Sequence, residues 1–387
     1  MTMKRAYLDH NATAPVRPEA AEAVARALSL TGNASSVHGE GRAARQLVEQ
    51  ARRDVAALVH AKPAEVIFTS GGTEAANLAL YMARSALGVE RLIVSAVEHD
   101  CVRAAATALD LPLAIAPVDA DGLVNLDALA RLLAAPGRAF VALMLANNET
   151  GVVQPVAEAV ALARAAGAYV LTDAIQAAGK MLVDFAALDT DMLILSAHKL
   201  GGPQGVGALI LRDTLPSEPL IRGGGQEMRR RAGTENLPGI AGFGAAARLA
   251  ADLTGVASLA ALRDRLEAGI GAAAPDVTIF GARAPRLANT SLFAAPGLDA
   301  ETLVMALDLD GLAVSAGSAC SSGKVARSHV LAAMGVKDAL ARGAIRVSLG
   351  RGNTEEDVDR LVASWSGIVK RMASKAAPAQ VLEKVGN

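Results

Sequence analysis

Aromatic residues are scarce in this 387-residue chain, at 3% of the total, and cysteine occurs only twice, as Cys101 and Cys320. Two cysteines rule out a disulfide framework and fall short of the thiolates that a closed structural zinc site uses. Charge of one sign is also lacking, since 38 Lys plus Arg stand against 39 Asp plus Glu. Without a basic excess, the composition offers no electrostatic footprint for a nucleic-acid partner. No run of about 18 uninterrupted apolar residues occurs, so no membrane span is expected. The opening MTMKRAYLDHNATAP meets an acid and a proline before a signal-like apolar run can develop. These absences point to a soluble protein of a reducing compartment, and the cytoplasm is the expected location.

What is present is aliphatic. Hydrophobic residues make up 52% of the chain, alongside 36 Gly and 15 Pro, so a sizeable core must rest on Ala, Leu, Val and Ile. At roughly 150 residues per domain, the length suggests two or three domains. From about residue 40 to 250, helical patterns alternate with short apolar runs. These are EVIFTS (65–70), RLIVSA (91–96), FVALMLA (140–146), YVLTD (169–173), DMLILS (191–196) and GALIL (207–211). The runs lack period-two alternation, as expected of strands covered by helices on both faces. The alternation predicts an α/β domain with a mainly parallel sheet. After residue 250 come a long helical pattern, the short strands VTIF, NTSLF and IRVSLG, and a closing helix near 354–373. We therefore expect a large α/β domain over 15–250. A smaller α+β domain is expected over 251–387, joined by the N-terminal segment 1–14.

Three short segments carry chemistry. In FTSGGTEAANLA, a strand ends, Gly71 and Gly72 turn the chain, and Thr73 opens a helical pattern. A helix N-terminus binds phosphate because its free N–H groups and positive dipole end face the anion. The turn is neither GxGxxG nor GxxxxGK[ST], which disfavours a dinucleotide or a nucleoside triphosphate. Asp173 ends YVLTD, where it would point into the crevice that ligands use. LILSAHKLGG places Ser196, His198 and Lys199 at the end of another buried strand. A lysine so placed, beside an acid on a neighbouring strand end, suits a Schiff base with a carbonyl cofactor. The acid would keep that cofactor's pyridine nitrogen protonated as an electron sink.

The segments YLDHNATAP, SSVHGEGRAAR, FTSGGTEAANLA, NNETGVVQP, TDAIQAAGK, SAHKLGGPQGVGAL, RRAGTENLPGIAGFG, SAGSACSSGK and IRVSLGRGNTEEDVD run in order from about residue 7 to 359. Together they resemble the cysteine desulfurases of the NifS/IscS type, within the fold type I, class V aminotransferase-like enzymes that use pyridoxal 5'-phosphate. The resemblance implies that Lys199 forms the Schiff base with the cofactor and later carries protons. Asp173 would pair with the pyridinium nitrogen and Gln176 would hydrogen-bond the ring's phenolic oxygen. His99 would lie over the ring. Gly72, Thr73, Ser196 and His198 would hold the phosphate, with Thr234 reaching it from the second subunit of a homodimer. Asn148 would sit near the ring oxygen and the substrate carboxylate. Arg346 would clamp that carboxylate with Asn11 in the same pocket, and Arg351 is its rival.

Cys320 separates this expectation from a transaminase. Its neighbours in SAGSACSSGK are Gly, Ser and Ala, a composition of an exposed loop that favours an accessible thiol. By the resemblance, its thiolate takes sulfur from cofactor-bound L-cysteine as a persulfide, and L-alanine leaves. The following SSGKVAR is similar in length to the long-loop subgroup, which suits delivery to a sulfur-acceptor protein such as an iron–sulfur scaffold. The scaffold could share Cys320 transiently as a cluster ligand, and no stable metal site is expected. Service to nitrogenase and general housekeeping both stay open, as does a selenocysteine lyase on the same scaffold. Cys101, followed by apolar residues, is expected to be structural.

Overall fold

The structure, a computed structural model, describes residues 5–317 and 327–376, with side chains to 371. In chain order the first half holds β1 (Ala6–Tyr7), α1 (Pro18–Leu28), α2 (Gly39–Leu58), β2 (Val66–Thr69), α3 (Gly72–Ser85), β3 (Arg91–Ser95) and α4 (Asp100–Thr107). There follow β4 (Leu113–Ala116), α5 (Leu126–Leu133), β5 (Ala139–Ala142), α6 (Val156–Ala165), β6 (Tyr169–Asp173), α7 (Phe185–Leu188), β7 (Met192–Ser196), β8 (Gly207–Leu211) and α8 (Leu237–Ala250). The remainder comprises α9 (Val256–Ala273), β9 (Thr278–Ile279), β10 (Thr290–Ala294), α10 (Ala300–Leu309), β11 (Leu312–Ala313), β12 (Ser315–Ala316), α11 (His329–Ala333), α12 (Asp338–Ala341), β13 (Ile345–Ser348) and α13 (Glu355–Ala376).

Seven strands form one sheet in the order β2-β8-β7-β6-β5-β3-β4. Every pairing in it is parallel except those of β8, which runs against both β2 and β7. The sheet is therefore mainly parallel, as the apolar runs predict. β2, β5, β7 and β8 are buried along their whole length, because helices cover both faces. On one face Val48, Ala51 and Val55 of α2 meet Phe243, Ala246 and Ala247 of α8. On the other, α3 and α4 bury Ala76, Leu80, Met82 and Val102. β4 is one of the two edge strands, and its alternation of covered and open residues did not stand out among the apolar runs. The strand expected over 140–146 is shorter. β5 ends at Ala142, and only isolated backbone bonds, Leu143 to Leu171 and Leu145 to Asp173, continue the pairing.

A second sheet, β12-β13-β10-β9, is antiparallel throughout and packs with α9, α10 and α13 around Trp365, Phe293 and Leu266. The chain's beginning belongs to this assembly, since β1 pairs in parallel with β11. Beyond β1, residues 9–13 pass between the two sheets. His10 donates its N–H to the Ser348 carbonyl, and Ala14 donates to that of His198.

Candidate active site

Three strand ends on one edge of the seven-stranded sheet build the site. β6 ends at Asp173, β7 at Ser196, and β2 runs through Ser70 and Gly71 into α3. Close approach here depends on glycine. A Cβ on Gly207 would lie 2.6 Å from the Gly71 carbonyl carbon, and one on Gly72 would lie 2.3 Å from Ile175 Cδ1. With glycine at both positions, the N-terminus of α3 settles against the ends of β6 and β7.

The result is a cavity of about 280 Å³. Asn11, Gly72, Thr73, His99, Asn148, Asp173, Gln176, Ser196, His198, Lys199 and Arg346 all line it. Thr234, which the sequence also singles out, does not. Thr234 is exposed in the loop before α8, away from the wall of its own chain's cavity. Cys320 lies outside the described residues.

Asp173 is buried, and one oxygen accepts the Ile175 N–H at 2.8 Å. Burial pushes its pKa up to about 6, against the pull of the Ile175 amide and Lys199. No ion pair satisfies it among the described residues, so its surroundings favour a cationic partner for the ionised form. Glu98 is buried nearby. It accepts from the Met144 N–H through Oε1, while Oε2 is without a partner. Burial, then the charge of Asp173, raises Glu98 to about 8 and favours its neutral form.

His99 caps α4, its Nδ1 accepting the Cys101 N–H at 3.1 Å. Its pKa is lowered by burial and then by Lys199, so the neutral ring is favoured, with the proton on Nε2. His198 Nδ1 lies 3.2 Å from Thr13 Oγ1, and burial, Lys199 and Lys180 lower its pKa to about 4. Lys199 follows β7 in a 3₁₀ turn and donates to the carbonyls of Asn11 at 2.6 Å and Ala12 at 2.7 Å. Gln176 Nε2 donates to the same Asn11 carbonyl at 2.9 Å. Asn11 Nδ2 in turn donates to Thr290 Oγ1 at 2.9 Å.

Arg346 comes from β13 and is almost wholly buried. Nη1 donates to the Asn148 carbonyl at 3.0 Å and Nη2 pairs with Asp9 at 2.7 Å, while Nε has no partner. Arg351 is exposed, donates to the Asp252 carbonyl and does not line the cavity, which separates the two rival arginines. Cys101 both packs against the apolar core and borders the cavity, a position its sequence neighbours did not announce.

Sequence reasoning passed over Asp9, Glu98, Glu149 and Lys180. Glu149 is buried, accepts from Ser328 Oγ, and is raised to about 7 chiefly by burial. Ser328 in turn caps α11 through the Leu331 N–H at 3.0 Å. Only adjacency could have flagged these residues, with Glu98 beside His99 and Lys180 four positions after Gln176.

The family pattern described as Aminotransferase class-V matches residues 6–361. The chain is 45% identical over 381 residues to a cysteine desulfurase of Cereibacter sphaeroides, covering 96% of this chain and 97% of that one. It is 42% identical to the IscS-like cysteine desulfurase of Mycobacterium tuberculosis, covering 96% and 98%. Its fold matches a NifS-like protein from Rickettsia africae with a TM-score of 0.87 and 32% identity, over 95% of this chain and 100% of that one. The chain thus belongs to the class-V aminotransferases, a family that depends on pyridoxal phosphate. Within that family it groups with the cysteine desulfurases of the NifS/IscS type.

Proposed function

We propose that this protein binds pyridoxal 5'-phosphate and removes sulfur from L-cysteine, giving L-alanine and a persulfide on Cys320. The observation that carries the reading is the convergence of Asp173, His99, Lys199 and Arg346 on one cavity of about 280 Å³. The residues fit the cofactor. Asp173 is a buried acid in want of a cation, and the glycine-lined N-terminus of α3 with Thr73, Ser196 and His198 offers donors to a phosphate. When bound, the cofactor supplies an electron sink for charge developing on the substrate.

The chain's own groups do the rest. Arg346, oriented by Asp9 and the Asn148 carbonyl, binds the substrate carboxylate from the cavity wall. Lys199 supplies the reactive amine and moves protons. Its contacts to the Asn11 and Ala12 carbonyls hold Nζ at the cavity's rim. His99, favoured as the neutral ring, is placed to accept or return a proton. The Cys320 thiolate attacks the substrate sulfur, the C–S bond breaks, and the sulfur stays on Cys320 as a persulfide. A homodimer, with Thr234 reaching the partner's phosphate, and an iron–sulfur scaffold as sulfur acceptor complete the proposal, in the cytoplasm. Among the described residues no helix is long and apolar enough to cross a membrane.

Two substitutions test it. Lys199→Ala should abolish the visible absorbance of the bound cofactor together with sulfide release. Cys320→Ala should keep that absorbance and its response to cysteine, yet form no protein-bound persulfide. Near-native sulfur release by Cys320→Ala would refute the mechanism.

A further inference from the structure

Lys180 stands where two cavities meet. Gln176 lines the active-site cavity, while Lys180 lines a second one of about 480 Å³, and Lys199 borders both. Lys180 Nζ donates to Gln176 Oε1 at 2.7 Å and lies 3.3 Å from Asn11 Oδ1. Both acceptors are neutral amide oxygens, and among the described residues no carboxylate pairs with Lys180. The charges that act most strongly on it are basic. Lys199 and Arg346 repel its charge, and it in turn acts on His10 and His198. Burial, then Lys199 and Arg346, brings its pKa down to about 7. A cation surrounded in this way lacks an anion.

An ammonium has only donors, so the Gln176 atom facing it must be the oxygen. The amide orientation is thereby fixed. Its Nε2 donates to the Asn11 carbonyl, and the side chain lines the active-site cavity. Without Lys180, the amide could turn its oxygen toward the cavity and repel an anionic oxygen there.

We propose that Lys180 is a positioning residue that locks Gln176 with its NH₂ toward the cofactor's ring oxygen and sets a positive charge behind it. The inference rests on the cofactor reading above. Both effects stabilise an anionic ring oxygen and oppose a further proton on the bound cofactor. Loss of Lys180 therefore raises the pH midpoint of the cofactor's visible absorbance. Removal of one nearby charge corresponds to a shift of about one pH unit.

The experiment is a spectroscopic pH titration of purified holoenzyme for the wild type, Lys180→Gln, Lys180→Arg and Gln176→Leu. We expect the midpoint to rise by about one unit in Lys180→Gln and to stay near the wild-type value in Lys180→Arg. It should also rise in Gln176→Leu, and adding Lys180→Gln to that variant should move it less than in the wild type. A merely structural lysine would lower the melting temperature or cofactor occupancy and leave the midpoint in place. A wild-type midpoint in fully loaded Lys180→Gln overturns the proposal. Should Lys180→Gln fail to fold, an unmoved midpoint in Gln176→Leu overturns it as well. If the wild type shows no visible band with pyridoxal phosphate, the cofactor reading itself falls, and this role with it.

Discussion

Replacing Asp173 with Asn should stabilise the cofactor-free protein and weaken the loaded one. In the fold, burial raises this carboxyl to about 6 from an ordinary 3.8, so folding disfavours its ionised form. Below pH 3.8 both folded and unfolded chains carry the proton, and no cost arises. As pH rises through the window from 3.8 to about 6, the unfolded chain ionises first and stability is lost. Above that window the cost levels off at about 3 kcal/mol, at 1.36 kcal/mol per pKa unit. At pH 4.5 the same two values leave about 1 kcal/mol. Asn keeps the oxygen that accepts the Ile175 N–H and has nothing to titrate. The gain is enlarged a little because Glu98, no longer facing a neighbouring charge, is raised less by the fold and costs less to bury at pH 7.5. Urea denaturation of the cofactor-free forms at pH 7.5 and 4.5 measures the difference, and a fluorescence titration with pyridoxal phosphate measures the opposite effect on affinity. Equal or lower stability of Asp173→Asn at pH 7.5, or a gain of the same size at both pH values, would refute the reasoning.

Arg346→Ala should raise the apparent KM for cysteine between ten- and more than a hundredfold, the equivalent of about 1.5–3 kcal/mol for a charged hydrogen bond. The cofactor absorbance should survive, and Arg351→Ala, altered at an exposed side chain outside the cavity, should behave as wild type in the same steady-state assay. Inactive Lys199→Ala and Thr234→Ala chains, mixed under conditions of subunit exchange, should regain activity through one lesion-free hybrid site. Persistent inactivity of exchanged hybrids would contradict a phosphate contact made across the dimer.

How much of this could be read in the sequence depended on the kind of signal. β6 and β7 stood out because buried parallel strands are continuous apolar runs, and charge interrupts them at Asp173, which ends β6, and at Lys199, three residues past the end of β7. β1, β11 and β12 are two residues long, too short for any periodicity, and exist because distant segments meet. Arg346 and Arg351 stand five residues apart in similar surroundings. Only the pairing of β13 with β10 and β12 buries one and leaves the other in solvent. Glu98 and Lys180 look like ordinary solvated charges in the sequence, because burial of a charge is decided by tertiary packing and leaves no local mark. Cys101 illustrates the reverse, since apolar neighbours suggested the core and the helix start brought it to the cavity wall as well.

The strap at residues 9–13 ties the two termini of the chain into one event during biosynthesis. Asp9 waits for Arg346, Asn11 for Thr290, and Thr13 for His198, while β1 waits for β11 roughly 300 residues later. Closing so long a loop costs only about 1 kcal/mol more than closing one of 100 residues, because the entropy grows with the logarithm of length. The delay is kinetic rather than energetic. A nascent chain halted before Ile345 already contains all seven strands of the large sheet, including Asp173 and Lys199, yet has neither β13 nor its arginine. Asp9 and His10 would then lack Arg346 and Ser348 of β13, although Thr290 and β11 are already made. On the proposed roles, the amine that would load the cofactor is thus made early, whereas the arginine that would clamp the substrate is made late, so a half-made chain would lack a complete site for cysteine.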